Sequence, residues 1–157
     1  MIQCRFENGR QANLRHVTVK ALTVGDNNKV LLVKRALNLL RGGKYDLPGG
    51  FLERDEDTQG CALRELFEET GIRGEILFLF RINDSPKRPN EDRQNVDFIY
   101  VVKPLSGEIK KDPETLSVSW VSPDNLPPEA EFAFDHKDSI LRYLSYLEKP
   151  FPLPILG

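Results

Sequence analysis

At 157 residues, 39% hydrophobic and 29% charged, the chain has the length of one domain and the makeup of a folded protein, which excludes a fibrous or disordered one. Its 24 acids against 22 lysines and arginines exclude a whole-molecule basic footprint, so no nucleic-acid partner is expected. Two cysteines, Cys4 and Cys61, are too few for a disulfide scaffold, and no apolar run nears the roughly 18 residues of a membrane span. With no apolar leader among the first residues, the expectation is a cytoplasmic protein without membrane association.

The β-branched run at 16–24 predicts a strand. Turn residues Gly25, Asp26, Asn27 and Asn28 follow, and Val30, Leu31, Leu32 and Val33 predict the returning strand of a hairpin. A basic loop, Arg41-Gly42-Gly43-Lys44, and a breaker, Pro48-Gly49-Gly50, come next. A helix is predicted from about Thr58 to Thr70, closed by Gly71. Residues 76–80 and 96–102 predict buried strands around a polar loop at 83–95 that holds Pro86 and Pro89. Residues 117–122 alternate as a short strand, and 135–147 carry Ile140, Leu141, Leu144 and Leu147 at helical spacing. A proline-rich tail at 150–157 ends the chain. Strands with interspersed helices and no clean βαβ alternation indicate a single mixed-sheet α/β domain over 1–157.

On a wheel of ~100° per residue, the first helix sorts into two faces. Ala62, Leu63, Leu66, Phe67 and Thr70 make a core face; Glu65, Glu68 and Glu69 share another. Like charges one turn apart repel by a few tenths of a kcal/mol per pair, an expense that solubility alone does not require. Oxygen ligands pointing one way suit a hard cation such as Mg²⁺, which keeps waters and leaves room for phosphates. A solvated acidic face is the alternative for the triad taken alone.

The residues around the triad decide between these readings. Gly50, Glu56, Arg64, Glu65, Leu66, Glu68, Glu69, Gly71 and Ile72 stand at G-x5-E-x7-R-E-U-x-E-E-x-G-U, where U is a bulky aliphatic. This pattern over residues 50–72 resembles the Nudix box with every fixed position filled. The lead-in Leu47-Pro48-Gly49-Gly50-Phe51 and the late Trp120-Val121-Ser122 resemble the family as well. The resemblance implies a Nudix-type α/β/α sandwich with a mixed β-sheet between helices. It also implies a hydrolase of nucleoside diphosphates linked to another moiety, dependent on Mg²⁺ or Mn²⁺.

By the same resemblance Gly49 (through its carbonyl), Glu65, Glu68 and Glu69 are expected metal ligands, with Glu68 either a third carboxylate ligand or the base for the attacking water. Glu65, Glu68, Arg64 and Glu114 are the expected catalytic residues, with Glu108 standing behind Glu114. Gly50, Glu56 and Gly71 are structural supports: a tight approach, an ion pair from Glu56 to Arg64 that pins the loop to the helix, and a helix cap.

Among the nine bases before the box, Arg35, Arg41 and Lys44 are expected to meet substrate phosphates, with Lys34 beside them. Tyr45, Phe51 and Phe80 are candidates to stack on a base. His16 and His136 are isolated in sequence and receive no role. Pro86, 15 residues past Gly71, resembles the spacing in ADP-ribose hydrolysing members. The array of NADH-cleaving members is missing, and no tyrosine follows the box where dinucleoside polyphosphate hydrolases tend to place one. An ADP-ribose or nucleotide-sugar pyrophosphatase is therefore the leading expectation, ahead of a nucleoside triphosphate pyrophosphohydrolase that cleans the nucleotide pool and of a non-catalytic nucleotide sensor. The apolar tail is either an arm for a homodimer or a segment folded on its own domain.

Overall fold

The structure, a computed structural model, describes residues 2–88 and 94–157. A short antiparallel hairpin, β1 (Ile2–Arg5) and β2 (Gln11–Leu14), precedes the body. The body is built on two sheets. The first runs in the order β3 (His16–Thr23), β7 (Asn95–Ser106), β6 (Arg73–Asn83), β9 (Ile155–Leu156) and mixes parallel with antiparallel pairs. In the second, β4 (Val30–Arg35) lies between β5 (Tyr45–Asp46) and β8 (Thr115–Val121), all antiparallel.

Alternation along the strands makes the two faces of an α/β/α sandwich. Val19, Ala21, Leu31, Tyr100 and Val102 pack with Cys61, Ala62 and Leu66 of helix α1 (Thr58–Thr70). Their neighbours Leu22, Leu32, Ile99 and Val101 pack with Ile140 and Tyr143 of helix α2 (His136–Glu148). Among the described residues no helix is long and apolar enough to cross a membrane.

Helix α1 has the predicted limits because both ends are capped. The Asp57 carboxylate accepts the Gly60 N–H at 2.7 Å, and Gly71 takes the left-handed conformation (φ 74°) that returns its N–H to Phe67.

Three expectations are corrected. The strands at 16–24 and 30–33 do not form a hairpin: they lie in different sheets and touch through a single Val24–Val30 bridge. Both are buried on both faces, and β5 and β8 occupy the two edges of β4. Phe67 is not core. It is 43% exposed at the edge of the buried stripe and carries the Arg73 guanidinium 4.3 Å above its ring. Phe80, a stacking candidate, is buried in the core against Tyr143 and Tyr146. Of the loop at 83–95, residues 89–93, including Pro89, lie outside the described residues. The tail folds back on its own domain: Phe151 packs on Tyr146 at 5.3 Å, and β9 pairs with β6.

Candidate active site

The glutamate face of α1 forms one wall of a cleft of about 440 Å³. Glu65, Glu68, Glu69, Gly49 and Gly50 line the cleft together with Lys20, Arg35, Arg88 and His136. Glu114 and Asp112 also border the cleft, from the loop before β8.

Arg64 organises the acidic wall. Its guanidinium forks onto Glu56 (Nη2–Oε1 2.7 Å, Nε–Oε2 3.1 Å), and its Nη1 donates to Glu65 Oε1 at 2.8 Å and Glu68 Oε2 at 3.0 Å. Hydrogen bonds from Arg64, helped by the Glu53 N–H, hold the Glu56 carboxyl down at about 2. The Gly50–Glu56 loop is thereby fastened to the helix, as the sequence suggested.

Glu69 lies deeper. Burial pushes its carboxyl up to about 8 against the opposing pull of Lys20, and its Oε2 accepts the Gly49 N–H at 3.0 Å. Burial likewise raises Glu65, while Glu68 is half-exposed and reaches furthest into solvent. The backbone comes close by necessity. A Cβ on Gly49 (φ 150°) would stand 2.0 Å from the Val19 carbonyl oxygen, and one on Gly50 would stand 2.3 Å from Glu65 Oε1.

A donor set of three carboxylates and a carbonyl, all oxygen, fits a hard divalent cation in kind. Among the described residues no three acidic or imidazole side chains converge into a finished shell. Arg64 and the Gly49 amide hold the carboxylates where they stand.

Beside these residues lies a buried charge network that no local spacing announces. His136 is sealed between two carboxylates: Nδ1 contacts Asp46, and Nε2 lies 3.2 Å from Asp97 Oδ2. Lys20 and Arg35 both reach Asp46 Oδ2, at 3.2 and 3.0 Å. Arg88 bonds Asp97 at 2.5 Å and Asp135 at 2.8 Å, and Thr18 also bonds Asp97. Burial raises Asp46 and Asp97, but the surrounding cations overcome it: Asp46 falls well below the carboxylate range and Asp97 to about 2. Burial lowers His136, and its two carboxylates more than reverse this, so its basicity rises above the usual value. The available sequence signals were a lone Lys20 and a lone Asp97 in otherwise apolar strands.

Of the bases expected at phosphates, Arg35 borders the cleft, whereas Arg41 and Lys44 do not. Arg41 is exposed, and Lys44 donates to the Ala130 carbonyl at 2.9 Å. Lys34 lies over the Tyr45 ring, away from the cleft. Phe51 lines the cleft; Tyr45 packs against the core. Glu114 is in position and Glu108 is not, its carbonyl lying beside Gly71.

Comparison with known proteins shows the family. Residues 14–143 match the NUDIX domain family. An ADP-ribose pyrophosphatase of Methanocaldococcus jannaschii is 31% identical over 120 residues, 76% of this chain and 68% of that protein. A NUDIX hydrolase from Nitrosomonas europaea superposes with a TM-score of 0.80 at 28% identity, covering 95% of this chain and 81% of that one. A bifunctional NMN adenylyltransferase/ADP-ribose pyrophosphatase from Francisella tularensis, solved with AMP and a Mn ion, superposes at 0.65 with 26% identity, over 84% of this chain and 42% of that one. With its complete box on a cleft-lining helix, the chain belongs to the Nudix hydrolase family and is an enzyme of the pyrophosphohydrolase class.

Proposed function

We propose that the protein is a Mg²⁺-dependent (or Mn²⁺-dependent) hydrolase that cleaves the pyrophosphate link of a nucleoside diphosphate joined to a second moiety, of the ADP-ribose or nucleotide-sugar type. The observation that carries this reading is a single cleft lined both by oxygen donors (Gly49, Glu65, Glu68 and Glu69) and by cations (Lys20, Arg35 and Arg88). Phosphates need positive charge beside them, and the attacking water needs activation. The likeness to an archaeal ADP-ribose pyrophosphatase supports the choice of substrate class.

Gly49, Glu65 and Glu69 would hold the metal, whose chemistry is to neutralise phosphate charge and acidify a bound water. Glu68, the most solvent-accessible of the three glutamates, is suited to take the water's proton; Glu114, in the loop before β8, borders the same cleft. Arg64 keeps Glu65 and Glu68 aimed, and Arg35 and Arg88, which border the same cleft, meet the substrate's phosphates.

The test is a panel of ADP-ribose, nucleotide sugars, NADH, dinucleoside polyphosphates and deoxynucleoside triphosphates incubated with Mg²⁺. AMP plus ribose 5-phosphate, or a nucleoside monophosphate plus a sugar phosphate, is the expected product pair. Pyrophosphate released from triphosphates alone would overturn the substrate class in favour of pool cleaning.

A further inference from the structure

A buried lysine in the middle of a β-strand is costly unless it is paired, and Lys20 is paired with more than its nearest carboxylate. The segment it touches is already held to β3 by backbone hydrogen bonds, Val19 N to Gly50 O at 2.9 Å and Ala21 N to Pro48 O at 2.8 Å. Asp46 takes the largest share of its neutralisation from Lys20 but has two further partners, Arg35 and His136, on the same carboxylate. The three donors of the Lys20 ammonium are spent on Asp46 Oδ2 at 3.2 Å, the Leu47 carbonyl at 3.3 Å and the Gly49 carbonyl at 3.2 Å. The Gly49 oxygen is one of the candidate metal ligands. Glu65 and Glu69, two others, both lie within the field of the same ammonium. Lys20 also borders the cleft, where an arriving phosphate would face it.

We propose that Lys20 is a resident competitor for the divalent-cation site, making tight metal binding conditional on an anionic phosphate in the cleft. This rests on the reading that Gly49, Glu65 and Glu69 hold the metal. Two cations sharing the same oxygens repel, and the repulsion is strong in a partly buried site. A phosphate beside Lys20 offsets it, so metal and substrate bind each other's complex better than either binds alone.

The experiment is a Mn²⁺ titration followed by the electron paramagnetic resonance signal of free ion, with circular dichroism to establish folding. Without nucleotide, Lys20→Met is expected to bind Mn²⁺ at least about tenfold tighter than the wild type, and Lys20→Arg to match the wild type. Equal or weaker binding by a folded Lys20→Met overturns the proposal. In a second arm the wild type is titrated with and without α,β-methylene ADP, a non-hydrolysed nucleoside diphosphate, against a protein-free control. Tightening of about tenfold in the ternary complex is expected, and equal affinity overturns the proposal even if neither Lys20 variant folds. Glu69→Gln separates the two readings. If it binds Mn²⁺ as the wild type does, or the wild type takes up none in either arm, the metal-site reading fails and the competitor with it.

Discussion

Arg64 bonds three carboxylates at once, two of them on its own helix. It thus offsets the repulsion that the glutamate face builds into α1 while leaving those carboxylates aimed at the cleft. Its contacts are partly solvated, so their contribution is modest. Arg64→Leu should cost about 1–2 kcal/mol, a melting point lower by roughly 2–8 °C in thermal unfolding. Turnover should fall more steeply, because Glu65 and Glu68 lose their orientation. Glu69 should show the opposite balance. A buried carboxylate is an expense to the fold, and Glu69→Gln keeps the shape and an acceptor for the Gly49 N–H. Its melting point should equal or exceed the wild type, while kcat with Mg²⁺ drops by at least about a hundredfold. Arg64 was legible in the sequence because its partners are close along the chain, Glu56, Glu65 and Glu68 lying within eight positions. Glu69 was legible only through its place in the motif, its partner Gly49 lying 20 positions away. His136 was not, since it meets Asp46 from 90 positions away and Asp97 from 39.

At the scale of elements, the glutamates and Gly49 of the candidate site come together by the apposition of one turn and one helix. Helix α1 was legible to the residue because Asp57 and Gly71 cap it by local chemistry. The partners of β3 and β4 were not: strands buried on both faces carry no alternation to say which sheet they join. The turn at Gly49 and Gly50 separates two effects of adding a methyl group. On Gly49 the Cβ would collide with the Val19 backbone, which cannot yield cheaply. On Gly50 the collision is with the end of the Glu65 side chain, which can swing aside. Gly50→Ala should therefore melt within about 2 °C of the wild type yet bind Mn²⁺ at least about tenfold more weakly, as read by titration. A large fall in melting point with unchanged metal affinity would show that Glu65 is not a ligand.

Across the whole molecule, one imidazole joins the layers. Asp46 belongs to the three-stranded sheet, Asp97 to the mixed sheet and His136 to α2, so protonated His136 bridges carboxylates from both sheets. Lys20, Arg35 and Arg88 are the other cations facing these carboxylates. The folded state raises His136 above its ordinary 6.5, so its stabilisation is complete below 6.5 and is lost as pH rises through the folded value. Asp97 behaves in reverse: held at about 2 against an ordinary 3.8, it contributes above 3.8 and its contribution is lost as pH falls towards 2. Glu69, raised from 4.5 to about 8, also loses stabilisation as pH rises across that interval, and Glu69→Gln removes this second slope. In the Glu69→Gln background, the unfolding free energy from urea titration should still fall as pH rises from 6.5 through the folded-state value of His136. Adding His136→Gln should flatten that slope and lower stability at pH 6 by about 3–5 kcal/mol, because two buried carboxylates then lose their shared partner. An undiminished slope in the double variant would mean that the imidazole does not carry the charge that ties the two sheets together.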